Sequence, residues 1–320
     1  MKKIILGKTG IEVTELCFGA LPMGPAQKNM PHEKSAAVVE EALRLGVTFV
    51  DTAQGYKTYE PIRIAMEKTG IHPVIATKSA AVMYEEMEEA VNEALEKLNI
   101  DVIDIFLLHA ARVDVDVFEI RKGALECLKE YKKRGVIKAI GISTHVMPVV
   151  NKAAENDDID IVFPILNKIG MGVIGGTRED MEAAVNKCLA KNKGVYLMKV
   201  LAGGNLIEDY IGAMDYGRSF AAGKIAIAVG MVSPEEAKMN VDYFNGVDIK
   251  KQAEKLSKAN KDFLVLAGMC KKCGKCVEAC HNGAVTLDSD KNSPPVIDVS
   301  KCLYCGYCVA ACPQFAIRMI

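Results

Sequence analysis

Eight cysteines fall between Cys270 and Cys312 in two runs written alike, and nothing else in the chain restricts its fold so tightly. The first run is Cys270-x-x-Cys273-x-x-Cys276-x-x-x-Cys280; the second is Cys302-x-x-Cys305-x-x-Cys308-x-x-x-Cys312-Pro313. Three thiolates spaced three residues apart sit on one tight turn and can cap three irons of a four-iron cubane. The fourth iron needs a ligand from elsewhere. Zinc is the alternative, although its sites are usually built from cysteine pairs with four ligands per ion. A secreted disulfide framework does not crowd its cysteines at one end. The remaining three, Cys17, Cys127 and Cys188, stand alone and read as small buried hydrophobes.

The two runs head an internal repeat, in which CKKCGKCVEACHNGAVTL pairs with CLYCGYCVAACPQFAIRM. Over residues 262–320 the chain resembles bacterial-type two-cluster ferredoxins. The resemblance implies two [4Fe-4S] clusters, with the last cysteine of each run serving the other cluster. One cluster then takes Cys270, Cys273, Cys276 and Cys312; the other takes Cys302, Cys305, Cys308 and Cys280. Each cluster would clip both halves together, which stabilises a segment too small to build a core of its own. His281 stands where such modules usually have proline. It leaves the ligand set intact and reads as a surface histidine or as a donor near a sulfur.

The residues before this tail follow a different pattern. Apolar, β-branched runs recur at 14–19, 47–50, 74–77, 102–108, 137–142, 159–163, 195–200 and 225–229, with helix-type stretches between them, such as 84–98, 117–134 and 178–192. Eight strand–helix units over about 250 residues is the size of a (β/α)8 barrel. A doubly wound open sheet normally carries a Gly-rich phosphate turn after its first strand. Here that position reads Phe18-Gly-Ala-Leu-Pro-Met-Gly24, so the barrel is preferred. The opening Ile4-Ile-Leu-Gly-Lys-Thr-Gly-Ile11 predicts a hairpin that plugs the bottom of the barrel. The expected architecture is a (β/α)8 TIM barrel over residues 1–260, then a small α+β ferredoxin-like domain over residues 261–320.

Chemistry in such a barrel sits where strands end and loops begin. Three successive strands end on a polar residue: Asp51, Lys78 and His109, with Tyr56 five residues past the first. Any one alone reads as solvated or locally satisfied; the set is harder to dismiss. Asp51-Thr-Ala-x-x-Tyr56 with Glu60, Thr77-Lys78, Leu107-Leu-His109 and Gly141-Ile-Ser143 resemble the motifs of the aldo-keto reductases. The whole chain resembles the subgroup of that family with a C-terminal ferredoxin module.

The chemistry of these residue types agrees. Carbonyl reduction delivers a hydride to carbon and a proton to oxygen. A free phenol, with a pKa near ~10, is too weak an acid at neutral pH, and a neighbouring ammonium favours its phenolate. Lys78 can supply that charge and Asp51 can hold Lys78. Tyr56 is then the general acid in reduction and the base in oxidation, with His109 orienting the substrate oxygen.

By resemblance, the hydride donor is NAD(P)H. Ser143 and Asn167, after strands five and six, are candidates for the nicotinamide amide. Gly230, Ser233 and Asn240 match the pattern at the adenosine end. Met198 falls where a ring-stacking tyrosine is common, and Glu236 where an arginine is common. A carboxylate at 236 points to a free ribose hydroxyl and NAD; Lys238 nearby argues the other way. Ser233 with Pro234 also reads simply as a helix cap. The loop Gly170-Met-Gly-Val-Ile-Gly-Gly176 reads as a flexible lid, ahead of a phosphate cradle or a packing turn.

Charge and hydropathy bound the rest. With 40 basic and 41 acidic residues, the chain has no electrostatic reason to bind nucleic acid or an anionic membrane. No apolar run approaches the ~20 residues of a membrane helix, and Ile4 to Leu6 is too short for a signal-peptide core. The expectation is a cytoplasmic oxidoreductase acting on a small-molecule carbonyl or alcohol, with electrons passing through the clusters to the site or to a redox protein partner. Two alternatives stand beside it: a carbonyl reductase whose clusters are structural, and a non-enzymatic electron-transfer or docking protein.

Overall fold

The computed structural model of the chain describes residues 1–25, 27–257, 262–280, 283–288, 293–298 and 307–319. His281, Cys302 and Cys305 lie outside the described residues. The chain divides into two compact units. The first is Met1–Val200 with Met214–Ile249; the second is Leu201–Ala213 with Lys250–Ile320. The boundary drawn from the sequence is a single cut after residue 260, whereas this division is discontinuous.

The first unit opens with β1 (Lys3–Ile5) and β2 (Glu12–Thr14), an antiparallel hairpin. Strands and helices then alternate: β3 (Leu16–Gly19), α1 (His32–Arg44), β4 (Phe49–Asp51), α2 (Tyr59–Thr69), β5 (Val74–Ser79), α3 (Tyr84–Leu98) and β6 (Ile103–His109). They continue as α4 (Val117–Ile120), α5 (Lys122–Lys133), β7 (Ile137–Thr144), α6 (Met147–Glu155), β8 (Ile161–Pro164), α7 (Arg178–Ala190), β9 (Gly194–Met198), α8 (Tyr210–Ser219), β10 (Ala226–Gly230) and α9 (Pro234–Phe244). Strands β3 to β10 pair in parallel and close, β10 returning to β3. This is the (β/α)8 barrel, and the open sheet is excluded.

Closure explains why the strands read as unbroken apolar runs. Helices cover the outer face and side chains fill the inner one, so both faces are dry. Every residue of β8 and β9 is buried. On α3 the buried residues are Met87, Ala90, Val91, Ala94 and Leu98, one stripe facing the sheet. Asn99 ends that helix in the left-handed region, at φ 55°. At Gly141 of β7 an added Cβ would collide with the Ile161 carbonyl oxygen and Leu107 Cδ2, so only glycine fits between the neighbouring strands there.

The hairpin lies at the barrel's N-terminal end, as the sequence predicts. Lys8 N–H donates to the Asn192 carbonyl at 2.9 Å, and Gly7 packs directly on Gly194 at the start of β9. One expected helix differs. The stretch 117–134 is two helices, broken at Arg121, whose guanidinium turns inward and donates to the His109 carbonyl at 2.9 Å. The break supplies that contact at the end of β6.

The second unit contains α10 (Lys250–Ser257), β11 (Phe263–Val265), α11 (Lys275–Glu278), β12 (Val285–Thr286), β13 (Val296–Ile297), α12 (Tyr307–Ala311) and β14 (Ile317–Met319). β11 pairs antiparallel with β14, β12 with β13, and α11 packs against α12. This small α+β arrangement follows the sequence repeat. Among the described residues, no helix is long and apolar enough to cross a membrane.

Candidate active site

The barrel brings Asp51, Tyr56, Lys78 and His109 together at the C-terminal ends of three adjacent strands. Asp51 is the last residue of β4, Lys78 the last but one of β5 and His109 the last of β6. Tyr56 ends a short 3-10 turn, Gln54–Tyr56, directly after β4. Several contacts hold that turn. Thr52 and Thr58 hydroxyls bond at 2.8 Å across it, and Gln54 accepts from Ser79 Oγ at 2.7 Å while donating to Glu93 at 2.8 Å. Gly24 lets the Tyr56 carbonyl approach closely; a Cβ there would strike it.

Lys78 is fully buried, and its ammonium donates to both Asp51 oxygens, at 2.8 and 2.6 Å, and to the Thr52 carbonyl at 2.7 Å. Its Nζ lies 4.8 Å from the centre of the Tyr56 ring. The Tyr56 and His109 rings meet edge to face with centroids 5.8 Å apart. Both rings are half-buried, so the mouth opens on them. Burial opposes the Lys78 charge, but Asp51 and then Tyr56 outweigh it and hold its pKa above the ordinary value. Burial pushes the Asp51 carboxyl up; Lys78 and Tyr196 work against that. An ammonium held this way is a fixed positive charge beside a phenol in a dry site, where its effect is larger than in water.

Sequence reasoning missed the floor of this site. Tyr196, in β9, is fully buried, and its hydroxyl donates to Asp51 Oδ1 at 2.9 Å. Its ring stacks on Phe163, centroids 3.8 Å apart at 13°, and Phe163 in turn lies 5.2 Å from Lys78 Nζ. Because β9 is buried throughout, no alternation told which of its side chains points inward; a tyrosine in an aliphatic strand was the only signal. Lys199, at φ 58°, brings its Nζ within 3.4 Å of His145 Nε2, a second basic pair at strand ends that the motifs did not mark.

The cofactor candidates divide. Ser143 pairs with His109 in the β6–β7 register and is buried, beside the tetrad. Asn167 is buried past the end of β8, where its amide donates to the Met171 carbonyl and accepts from Met171 N–H, both at 2.9 Å. That contact and the Val146–Ile174 bridge pin the glycine loop 170–176 to the barrel. Gly230 packs under Pro22, which a Cβ would hit. Ser233 caps α9 by accepting from Glu236 N–H at 3.2 Å, Glu236 accepts from Val232 N–H at 2.8 Å, and Asn240 donates to the Glu236 carbonyl at 2.8 Å. Lys238 pairs with Asp242 on the exposed face. Ser143 thus lies beside the tetrad, whereas Ser233 caps α9, Asn240 bonds within it and Gly230 packs under Pro22.

In the second unit Cys270, Cys273, Cys276 and Cys312 line one cavity, walled by Leu287 and Ile317. Among the described residues, no three His, Cys, Asp or Glu side chains converge tightly enough for a single metal ion. These four thiols are the set that the ferredoxin resemblance implies for one cluster. Backbone N–H groups point at the sulfurs: Lys272 to Cys270 at 3.3 Å, and Ala284 to Cys280 and Ala316 to Cys312, both at 3.2 Å. The last two occupy equivalent places in the repeat. Cys308 is buried on α12. The lone Cys17, Cys127 and Cys188 are all fully buried.

Comparison with known proteins agrees with both halves. Residues 15–221 match the aldo/keto reductase family, and residues 269–316 match the 4Fe-4S dicluster domain. The uncharacterized oxidoreductase YqkF of Bacillus subtilis is 26% identical over 174 residues, 50% of this chain and 54% of that protein. L-galactose dehydrogenase of Arabidopsis thaliana is 26% identical over 215 residues, covering 63% and 66%. Methylglyoxal reductase DkgA of Escherichia coli is 26% identical over 187 residues, covering 53% and 64%. The chain thus spans between half and two thirds of the length of these relatives. Among solved structures, the fold is shared with aldo-keto reductase AKR11C1 of Bacillus halodurans, with TM-score 0.63, 20% identity, and 81% and 95% covered. An aldo/keto reductase of Brucella melitensis gives TM-score 0.60 and 18% identity, with 81% and 99% covered. With the family match running through most of the barrel, the chain belongs to the aldo/keto reductase family and also carries a 4Fe-4S dicluster domain.

Proposed function

We propose that the barrel reduces a small-molecule carbonyl, or oxidises the corresponding alcohol, with Tyr56 as the general acid and base. The observation that carries this reading is the Lys78 ammonium, bound by Asp51 at 2.8 and 2.6 Å and set 4.8 Å from the Tyr56 ring. In reduction the Tyr56 hydroxyl gives its proton to the carbonyl oxygen, and Lys78 stabilises the phenolate left behind. In oxidation the same phenolate takes the proton back. Asp51 keeps Lys78 charged and in place. His109, edge-on to Tyr56, orients the substrate oxygen. When bound, a nicotinamide dinucleotide supplies the hydride; Ser143 and Asn167 would hold its amide end. The relatives named methylglyoxal reductase and L-galactose dehydrogenase support a small carbonyl or hydroxyl compound as substrate.

The eight tail cysteines hold two [4Fe-4S] clusters in the crossed sets given above, and these supply one-electron transfer to or from a redox protein partner or the barrel site. The cluster chemistry supports a reducing, cytoplasmic setting. A stabilising role for the clusters is favoured as well by the short strands and helices of the second unit.

Tyr56→Phe tests the reading. Nicotinamide-linked reduction of methylglyoxal should fall about 10²–10⁴-fold, with folding unchanged. Undiminished turnover would remove Tyr56 from the mechanism. Titrating reduced nicotinamide into the oxidised holoprotein, with cluster absorbance as readout, tests electron exchange separately: bleaching supports it and an unchanged spectrum rejects it.

A further inference from the structure

We propose that Tyr196 is a positioning residue of this site: reaching across the barrel interior from β9, its hydroxyl shares the Asp51 carboxylate with Lys78 and so sets how much positive charge Lys78 presents to Tyr56. The proposal rests on the tetrad reading above.

The hydroxyl is not needed to fill space. Phe163 stacks on the Tyr196 ring at 3.8 Å and Phe49 meets it edge-on at 5.0 Å, contacts that a phenylalanine would keep. A buried hydroxyl must find a partner, and this one donates to a buried carboxylate, the strong kind of hydrogen bond. The donor is secure: burial first, then the Asp51 charge, holds the Tyr196 phenol far above its usual pKa, so it stays protonated. No proton moves along this bond. Its effect is electrostatic. A carboxylate that accepts from Tyr196 as well as Lys78 neutralises less of the ammonium's charge, and more of that charge acts on Tyr56.

The titratable groups facing Asp51 are Lys78 from β5, Tyr196 from β9 and Cys17 from β3. Those facing Tyr56 include Lys78, His109 from β6 and, more remotely, Tyr196. Cys17 is kept as a thiol by burial and then by Asp51, so it adds no charge. With the Tyr196 hydroxyl removed, Asp51 concentrates on Lys78, the positive potential at Tyr56 falls, and its phenolate is less favoured.

The test uses the holoprotein and its Tyr196→Phe, Tyr56→Phe and double variants. The chain has no tryptophan, so tyrosinate absorbance is readable. Subtracting each Tyr56→Phe protein from its parent cancels the clusters and the other tyrosines, leaving the Tyr56 titration. Tyr196→Phe should move that titration upward by about 0.5–1 pH unit. The pH profile of kcat/KM for methylglyoxal, with NADH or NADPH, should shift by the same amount, and KM should hold within about twofold. A variant that only lowers the thermal unfolding midpoint, with the titration unmoved, overturns the positioning role and leaves the tetrad intact. If the parent protein shows no Tyr56 titration below that of free tyrosine, the tetrad reading itself fails and this proposal falls with it.

Discussion

The two units are stabilised by opposite means. In the barrel, eight strands bury aliphatic side chains on both faces, and even the Lys78 ammonium is sealed inside. Around its cysteines the second unit has strands of two or three residues and helices of four or five, and among the described residues there the buried apolar side chains are few, Phe315 and Ile317 being the largest. Apolar burial contributes about 25 cal/mol per Å2, so the few apolar side chains around the cysteines contribute little beside those of the barrel. The barrel is therefore a fold that supports chemistry. On the reading proposed above, the tail is a fold that its metal chemistry supports.

Stripping the iron gives the sharpest contrast. The apoprotein should lose amide-exchange protection through residues 262–319 almost completely, while the barrel strands stay protected. Equal protection with and without iron would break the comparison. Within the barrel, the next largest effect belongs to Lys78→Met. It leaves Asp51 buried without its cation and should cost about 3–5 kcal/mol of stability, measured by urea unfolding of the iron-loaded protein. A loss below 1 kcal/mol would mean that the pair is not desolvated as the geometry shows.

Smaller effects refine the picture. Gly141→Ala forces a methyl group between β6 and β8 and should destabilise the barrel by about 1–3 kcal/mol; an unchanged urea midpoint would show that the strands can part. Least in energy is a difference in thiol reactivity. Burial first pushes the Cys127 and Cys188 thiols up to about 12. Both folded-state values lie above that of a free thiol, so at pH 8 both stay protonated in the barrel and should resist iodoacetamide until it unfolds. The tail cysteines should react as soon as iron is removed. Labelling of Cys188 in the folded protein would contradict the burial.

Much of this was legible in the chain alone. Cysteine spacing marks the dicluster match at residues 269–316, because three thiols on one turn suit three irons of a cubane. Strand-end positions mark Asp51, Lys78 and His109 because three successive apolar strands that each end on a polar residue gather those residues at one end of the barrel. Periodicity marks the eight units, though it runs 117–134 together, because nothing local in the sequence shows Arg121 turning to the His109 carbonyl. The same limit explains the cofactor residues. Gly230, Ser233 and Asn240 fit a family pattern, yet the contacts that occupy them come from Pro22 and from α9 itself.

What the sequence by itself determined is the inventory: an eight-unit α/β chain, a repeat of two four-cysteine runs, and four groups suited to carbonyl chemistry. The tertiary structure alone decided that Tyr196 meets Asp51 across 145 positions of chain, and that residues 201–213 group with the tail. Local preference and spacing are properties of neighbouring residues. A hydrogen bond between strands on different sides of a closed barrel depends on closure, register and the direction of each inward side chain, and these are settled only when the whole sheet forms.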